Sequence, residues 1–217
     1  MNDRANKARP IPPCPGLEIL GEETVWNGRF PLQRITFRKR RFDGGEGGVL
    51  TWELWRRGFA VAILPYDPWS DRVALIEQFR IAALAANLDG VVTECPAGLL
   101  DPGESEEATA IRELQEETGL ATDRLARIGR YILTQGGCDE TITLYAARVR
   151  LDDDTATHHG LAHEHEDIRL KVIPAGEAIA MLDDNRIENA TAALCLGWLA
   201  RRRDTLRAEW TSKDWTD

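Results

Sequence analysis

From Leu17 to about Trp55, apolar and polar residues alternate in short stretches, LEIL, FPLQRITFRKR and VLTWELW, with a glycine-rich break at DGGEGG before the last. A period of two puts one face of each stretch against a core, which predicts a small antiparallel sheet. The proline-rich residues 1–16 predict little regular order. FAVAILPYDPWSDRVALIEQF predicts two strands joined by a turn at its Asp-Pro and Ser-Asp steps. VVTEC predicts another strand and PAGLLDPGE a loop. IGRYIL and TITLYAARV predict strands around a turn at Gly136 and Gly137. A polar loop from Asp152 to Asp167 leads to the strand IRLKVI. Helices are expected from about Gly176 to Leu182 and from about Asn189 to Arg203. No segment repeats. Interleaved strands and helices predict an α/β sandwich rather than an all-β fold.

One helix, roughly Glu104 to Thr118, carries the chemistry. It follows Pro102-Gly103, its acidic first turn suits the helix dipole, and Gly119 is placed to end it. Ala108, Ile111 and Leu114 recur at three-residue spacing and form the expected buried stripe. Glu113, Glu116 and Glu117 fall together on the other side and repel one another. An acidic face of this kind, taken alone, is most often only solvated.

Composition narrows the field. The 217 residues suit one domain, or one domain with a smaller appendage, and 43% hydrophobic with 29% charged residues is a globular balance. Cys14, Cys95, Cys138 and Cys195 lie far apart, which argues against a disulfide framework or a zinc site. A net charge of −9 argues against nucleic acid as partner. An anionic substrate would need metal ions to reverse the local field. No apolar run is long enough to span a membrane. The N-terminus lacks the apolar core of a secretory signal, so a cytoplasmic protein is expected.

Gly98, Glu104, Arg112-Glu113-Leu114, Glu116-Glu117 and Gly119-Leu120 match the Nudix box, G-x5-E-x7-R-E-U-x-E-E-x-G-U with U aliphatic, at all nine fixed positions in 23 residues. The chain therefore resembles the Nudix hydrolases. The resemblance implies a Nudix α/β/α sandwich with a mixed sheet over residues 58–217. It also implies an N-terminal β region, residues 1–57, whose small sheet is swapped in a homodimer. It makes Glu113 and Glu117 the main ligands of two or three Mg²⁺ or Mn²⁺ ions, with Glu116 and the Ala97 carbonyl beside them. Gly98, Glu104, Arg112 and Gly119 support the box. Oxygen ligands of this kind suit hard divalent cations, which can clamp both oxygens of an in-line displacement.

PAGLLDPGES, TQGGCDE, GLAHEHEDIRLKVI and IENATAALCLGWL resemble segments of bacterial ADP-ribose pyrophosphatases, over about residues 17–210. That resemblance implies hydrolysis of ADP-ribose to AMP and ribose 5-phosphate. It places the catalytic base at Glu164 and a further metal ligand at Glu166. For the substrate it points to Phe30 stacking on adenine and Glu53 at the adenine edge. Arg57 and Arg80 would face the phosphates or bridge to Glu140. Leu99 and the turn Thr134, Gln135 and Gly136 would line the ribose side. Arg29 stands where a second aromatic is expected and Trp52 where an arginine is expected, so adenine could stack on Trp52 instead. His158, His159, His163 and His165 crowd the same loop, but their spacing fits no four-ligand zinc pattern. Alternatives are a hydrolase of another nucleoside diphosphate sugar such as GDP-mannose, or a non-catalytic module that kept the fold. The complete box argues against the second.

Overall fold

A computed structural model describes residues 10–152, 157–161 and 166–212. The chain divides into two compact units, Met1–Phe59 with Tyr131–Thr141, and Ala60–Arg130 with Ile142–Asp217.

The first unit holds a three-stranded antiparallel sheet of β1 (Leu17–Asn27), β2 (Pro31–Lys39) and β3 (Val49–Trp55), in that order. The alternating stretches form it as expected, with DGGEGG in the β2–β3 connection. The later segment Tyr131–Thr141 fastens to the end of β3. The Trp55 amide donates to Gly137 O at 2.8 Å, and the Asp139 amide donates to Trp55 O at 3.1 Å. The Asp139 carboxylate then accepts from the amides of Arg57 and Gly58.

The second unit is built on an eight-stranded sheet: β4 (Phe59–Asp67), β5 (Arg72–Phe79), β6 (Val91–Glu94), β7 (Ala97–Leu99), β8 (Arg124–Ile132), β9 (Thr141–Arg148), β10 (His158–His159) and β11 (Ile168–Pro174). The main path runs β10-β11-β5-β4-β9-β8, with β6 on β5 and β7 on β4. Alternate residues of β4 and β5 enter two separate cores. Leu64, Tyr66, Val73 and Leu75 join α3 (Ala175–Asp183) and α4 (Ala190–Thr211), whereas Val61, Ile63, Ala74 and Ile76 join α2 (Glu106–Thr118). Helices thus cover both faces, the layering expected of an α/β sandwich.

Several expectations change. PAGL, expected as loop, is strand β7, because Ala97, Gly98 and Leu99 pair with Ala62, Val61 and Ala60. A strand, β10, lies inside the expected loop, where His158 and His159 pair with Arg169 and Ile168. A short helix, α1 (Ile81–Ala85), follows β5. The last helix continues past Arg203 to Thr211, since Leu206 and Trp210 are buried and Arg207 donates to Pro68 O at 3.1 Å.

Candidate active site

The ends of α2 are set by local chemistry. Ser105 caps the N-terminus, its hydroxyl oxygen accepting from the Ala108 amide at 3.1 Å, and Glu106 and Glu107 occupy the positive first turn. Gly119 ends the helix at φ +68, a left-handed conformation that glycine adopts without strain.

The buried side of α2 is not the expected stripe. Ala108 is exposed and Ile111 is 48% exposed, whereas Thr109, Ala110, Glu113, Leu114, Glu117 and Thr118 are buried. Of the expected stripe only Leu114 is buried. The two glutamates themselves turn inward, toward the strand before the helix, and the apolar contact shifts around the helix to Ala110 and Leu114.

Gly98 makes that possible, because a Cβ there would overlap the carboxylate of Glu113. Glu117 is anchored to the same strand: its Oε2 accepts from the Ala97 amide at 2.8 Å. Burial pushes Glu113 up to about 7, with the charges of Glu116 and Glu166 adding to the effect and Arg112 opposing it. Burial likewise pushes Glu117 up to about 8, raised further by Glu113 and Glu166 and opposed by the Ala97 amide and Arg80. Glu166 therefore lies close enough for its charge to act on both buried carboxylates. Its own Oε2 accepts from the Leu161 amide at 3.4 Å.

Arg112 is the hub of the supporting contacts. Its guanidinium donates to both oxygens of Glu104 at 3.1 Å, to Glu113 Oε1 at 2.7 Å, to Glu116 Oε2 at 3.0 Å and to Leu99 O at 3.3 Å. Glu104 also accepts from the fully buried Thr109 hydroxyl at 2.8 Å and from the Asp101 amide at 3.3 Å. The Arg112 bonds hold its carboxyl down at about 2. Glu104 and Arg112 thus tie the loop to the helix, beyond the worth of an isolated surface pair.

As the side chains stand, no three carboxylates, histidines or cysteines among the described residues are drawn into ligating geometry. Arg112 occupies oxygens of Glu113 and Glu116. The donor set nonetheless suits a hard divalent cation. Buried carboxylates whose charge is disfavoured without a counter-charge sit against a backbone strand, and oxygen is the ligand such cations take.

The remaining expected residues fall in both units. In the second lies Arg80. It donates to both oxygens of Glu94, at 3.0 and 2.8 Å, and Leu99 pairs with Ala60. In the first, Arg57 makes the Glu140 bridge at 2.7 and 3.4 Å. Its guanidinium lies 4.8 Å from the Phe30 ring and 4.7 Å from the Trp55 ring. Phe30 meets Trp55 edge to face at 6.1 Å, and Arg29 stacks on Phe30 at 5.5 Å. Trp52 is 54% exposed and touches Phe37 edge to face. A cavity of about 460 Å³ is lined by Arg34, Thr51, Trp52, Glu53 and Gly136. The Thr134 carbonyl shapes the adjoining turn by accepting from the Gly137 and Cys138 amides, and Gln135 is exposed within it. Glu164, with His163 and His165, lies outside the described residues.

Sequence reasoning missed Glu94, Thr109 and Arg34. Glu94 meets Arg80 only through the pairing of β5 with β6, and Arg34 meets Glu53 only through the register of β2 and β3. No spacing along the chain signals either.

A family profile described as NUDIX domain matches residues 56–193. Over 195 residues the chain is 37% identical to the ADP-ribose pyrophosphatase of Escherichia coli (strain K12), covering 89% of this chain and 92% of that one. It is equally identical to the ADP-ribose pyrophosphatase of Haemophilus influenzae, covering 89% and 90%. It is 31% identical to the GDP-mannose pyrophosphatase of Pectobacterium atrosepticum, covering 85% and 97%. Among solved structures, one described as an ADP compounds hydrolase superposes with a TM-score of 0.66 at 22% identity, over 92% of this chain and 98% of that one. At that identity the likeness is one of fold.

Proposed function

The chain belongs to the Nudix family, and from that premise we propose that it hydrolyses the diphosphate bond of ADP-ribose, with water, to AMP and ribose 5-phosphate. The observation that carries the chemistry is the pair of buried glutamates, Glu113 and Glu117, lodged against Ala97 and Gly98 where burial disfavours their charge. The 37% identity to ADP-ribose pyrophosphatases supports the substrate, against 31% to a GDP-mannose enzyme.

Residues 58–217 form the catalytic domain in this reading. Glu113, Glu116, Glu117, Glu166 and the Ala97 carbonyl hold divalent cations, Mg²⁺ or Mn²⁺, two or three per site. Bound there, the cations supply positive charge that offsets the diphosphate and lowers the pKa of the attacking water. Glu164 takes the proton from that water. Arg112 and Glu104 keep the glutamates in register. Phe30 or Trp52 and Glu53 serve the adenine, Leu99 and the Thr134–Gly136 turn the ribose side, and Arg57, bridged to Glu140, and Arg80 the phosphates. A GDP-mannose hydrolase remains the second reading because the relatives include one.

Product analysis on a panel of nucleoside diphosphate derivatives with Mg²⁺ tests the substrate. ADP-ribose should give AMP and ribose 5-phosphate with a kcat/KM at least about tenfold above that for GDP-mannose or nucleoside triphosphates, the size of one lost contact in a binding pocket. A preference for GDP-sugars would move the assignment.

The N-terminal β region supports a homodimer. Leu20, Trp26, Val49, Leu50 and Trp52 leave much of their surface exposed on its strands, and a three-stranded sheet gains stability from a second surface. Sedimentation should give a dimer, and deletion of residues 1–55 should yield a monomeric or poorly soluble chain without ADP-ribose affinity. A fully active monomer would contradict this. No described helix is long and apolar enough to cross a membrane. All four cysteines are free thiols, which fits the proposed reducing, cytoplasmic setting.

A further inference from the structure

Gln78 lies on β5, and sheet register fixes its neighbours. His159 on β10 pairs with Ile168 on β11, Ile168 pairs with Gln78, and Gln78 pairs with Val92 on β6. Directly opposed residues of antiparallel strands project to the same face, so these four side chains form one row across the sheet. That face is the one α2 covers. Ile168 is fully buried with Ala110 and Leu114 of α2. His159 lies at the end of the same helix, where a Cβ on Gly119 would come within 3.0 Å of its ring. Ile76 and Arg80, two residues to either side of Gln78, share its face by strand alternation. Ile76 joins the α2 core, and Arg80 feels the charges of Glu117 and Glu166. The row therefore runs under the C-terminal turn of α2, which bears Glu116 and Glu117.

The Gln78 amide oxygen is shut off from solvent and has no hydrogen-bond partner among the described residues. Buried acceptors are nearly always satisfied in native proteins, by protein, water or a ligand. An acceptor on the face that α2 covers with its carboxylates calls for a donor. Water on a divalent cation is a strong donor of that kind.

We propose that Gln78 is a positioning residue of the cation site, its amide oxygen accepting a hydrogen bond from a water on a cation held by Glu117 and so fixing that water's orientation. The proposal rests on the cation reading given under the proposed function.

The test uses the full chain and Mn²⁺ alone, with binding read from the thermal midpoint and from the electron paramagnetic resonance signal of unbound Mn²⁺. Wild type, Gln78→Met and Gln78→Glu are compared. Gln78→Met should weaken Mn²⁺ binding by about tenfold, the lower end of what losing a partner behind a metal ligand costs. Its metal-free Tm should hold or rise, because an apolar replacement removes an unsatisfied polar group. Gln78→Glu restores an acceptor and should bring the Mn²⁺ midpoint back to within about threefold of wild type. Unchanged Mn²⁺ binding by Gln78→Met overturns the proposal. So does a large fall in its metal-free Tm, or failure to fold, with Mn²⁺ binding otherwise intact in Gln78→Glu, since the amide would then serve only the fold. A wild type that neither shifts its Tm nor takes up Mn²⁺ would instead remove the cation reading itself.

Discussion

Glu117→Gln should fold, yet lose at least about 10³-fold in kcat/KM for ADP-ribose, at or beyond the cost of deleting one preorganised hydrogen-bond donor from an active site. Gln keeps an oxygen to accept the Ala97 amide, which Glu117 holds at 2.8 Å, so the strand and helix stay joined. What disappears is the negative charge that a cation needs. Chelation of the wild type should abolish turnover to the same degree. The metal-free proteins should differ in the opposite sense from their activities. Glu113 and Glu117 are raised to about 7 and about 8 from an ordinary 4.5. Between pH 4.5 and about 8 the native chain keeps protons that the unfolded chain has released. Stability from these groups is thus full below about pH 4.5 and is lost as pH rises through their native values. Glu117→Gln has no such proton to lose at that position. In chelator its Tm should fall less between pH 5 and 8 and exceed that of wild type near the upper end of that range. Turnover within about tenfold of wild type by Glu117→Gln, or full turnover in excess chelator, would sink the cation mechanism.

The carboxylate helix was legible because everything that defines it is local. Ser105, the acidic first turn, Gly119 and the spacing from Gly98 to Glu117 lie within one stretch of chain. The face it buries was not legible from apolar spacing, because Glu113 and Glu117 take inward positions that a hydrophobic pattern assigns to solvent. Thr109 was hidden for the same reason: a polar residue that spends its hydroxyl on Glu104 carries no apolar signal. Strand β7 looked like loop since PAGL has only three paired residues and a glycine, and only β4 beside it makes it a strand. Three consecutive arginines suggest an end to α4 at Arg203, yet the helix runs on to Thr211. Arg203 turns back to pair with Asp71, and the apolar Leu206 and Trp210 carry the helix on. Glu94 and Gln78 needed register across strands, which a single sequence does not contain.

Glu164→Gln and Glu166→Gln should fail in different ways, though only one residue separates them in the chain. Glu166 acts electrostatically on Glu113 and Glu117, so its loss should be felt through the cations. Glu166→Gln should raise the Mg²⁺ concentration needed for half-maximal rate and recover part of the loss at high Mg²⁺. Glu164, assigned from the family resemblance, is the proposed acceptor of the attacking water's proton, a role that contributes about 10²- to 10⁴-fold. Glu164→Gln keeps size and a hydrogen-bonding oxygen but cannot accept a proton. Its kcat should drop within that range while its Mg²⁺ dependence stays near wild type. The residual rate should climb with pH as free hydroxide substitutes for the missing base, whereas Glu166→Gln should show no such climb once Mg²⁺ saturates. Rate against Mg²⁺ and pH for both variants separates the roles. If both titrate Mg²⁺ alike and lose equally little rate, neither role belongs to this segment. The base must then come from the box, where Glu116, at 3.0 Å from Arg112 and less buried than Glu113 or Glu117, is the next carboxylate to test.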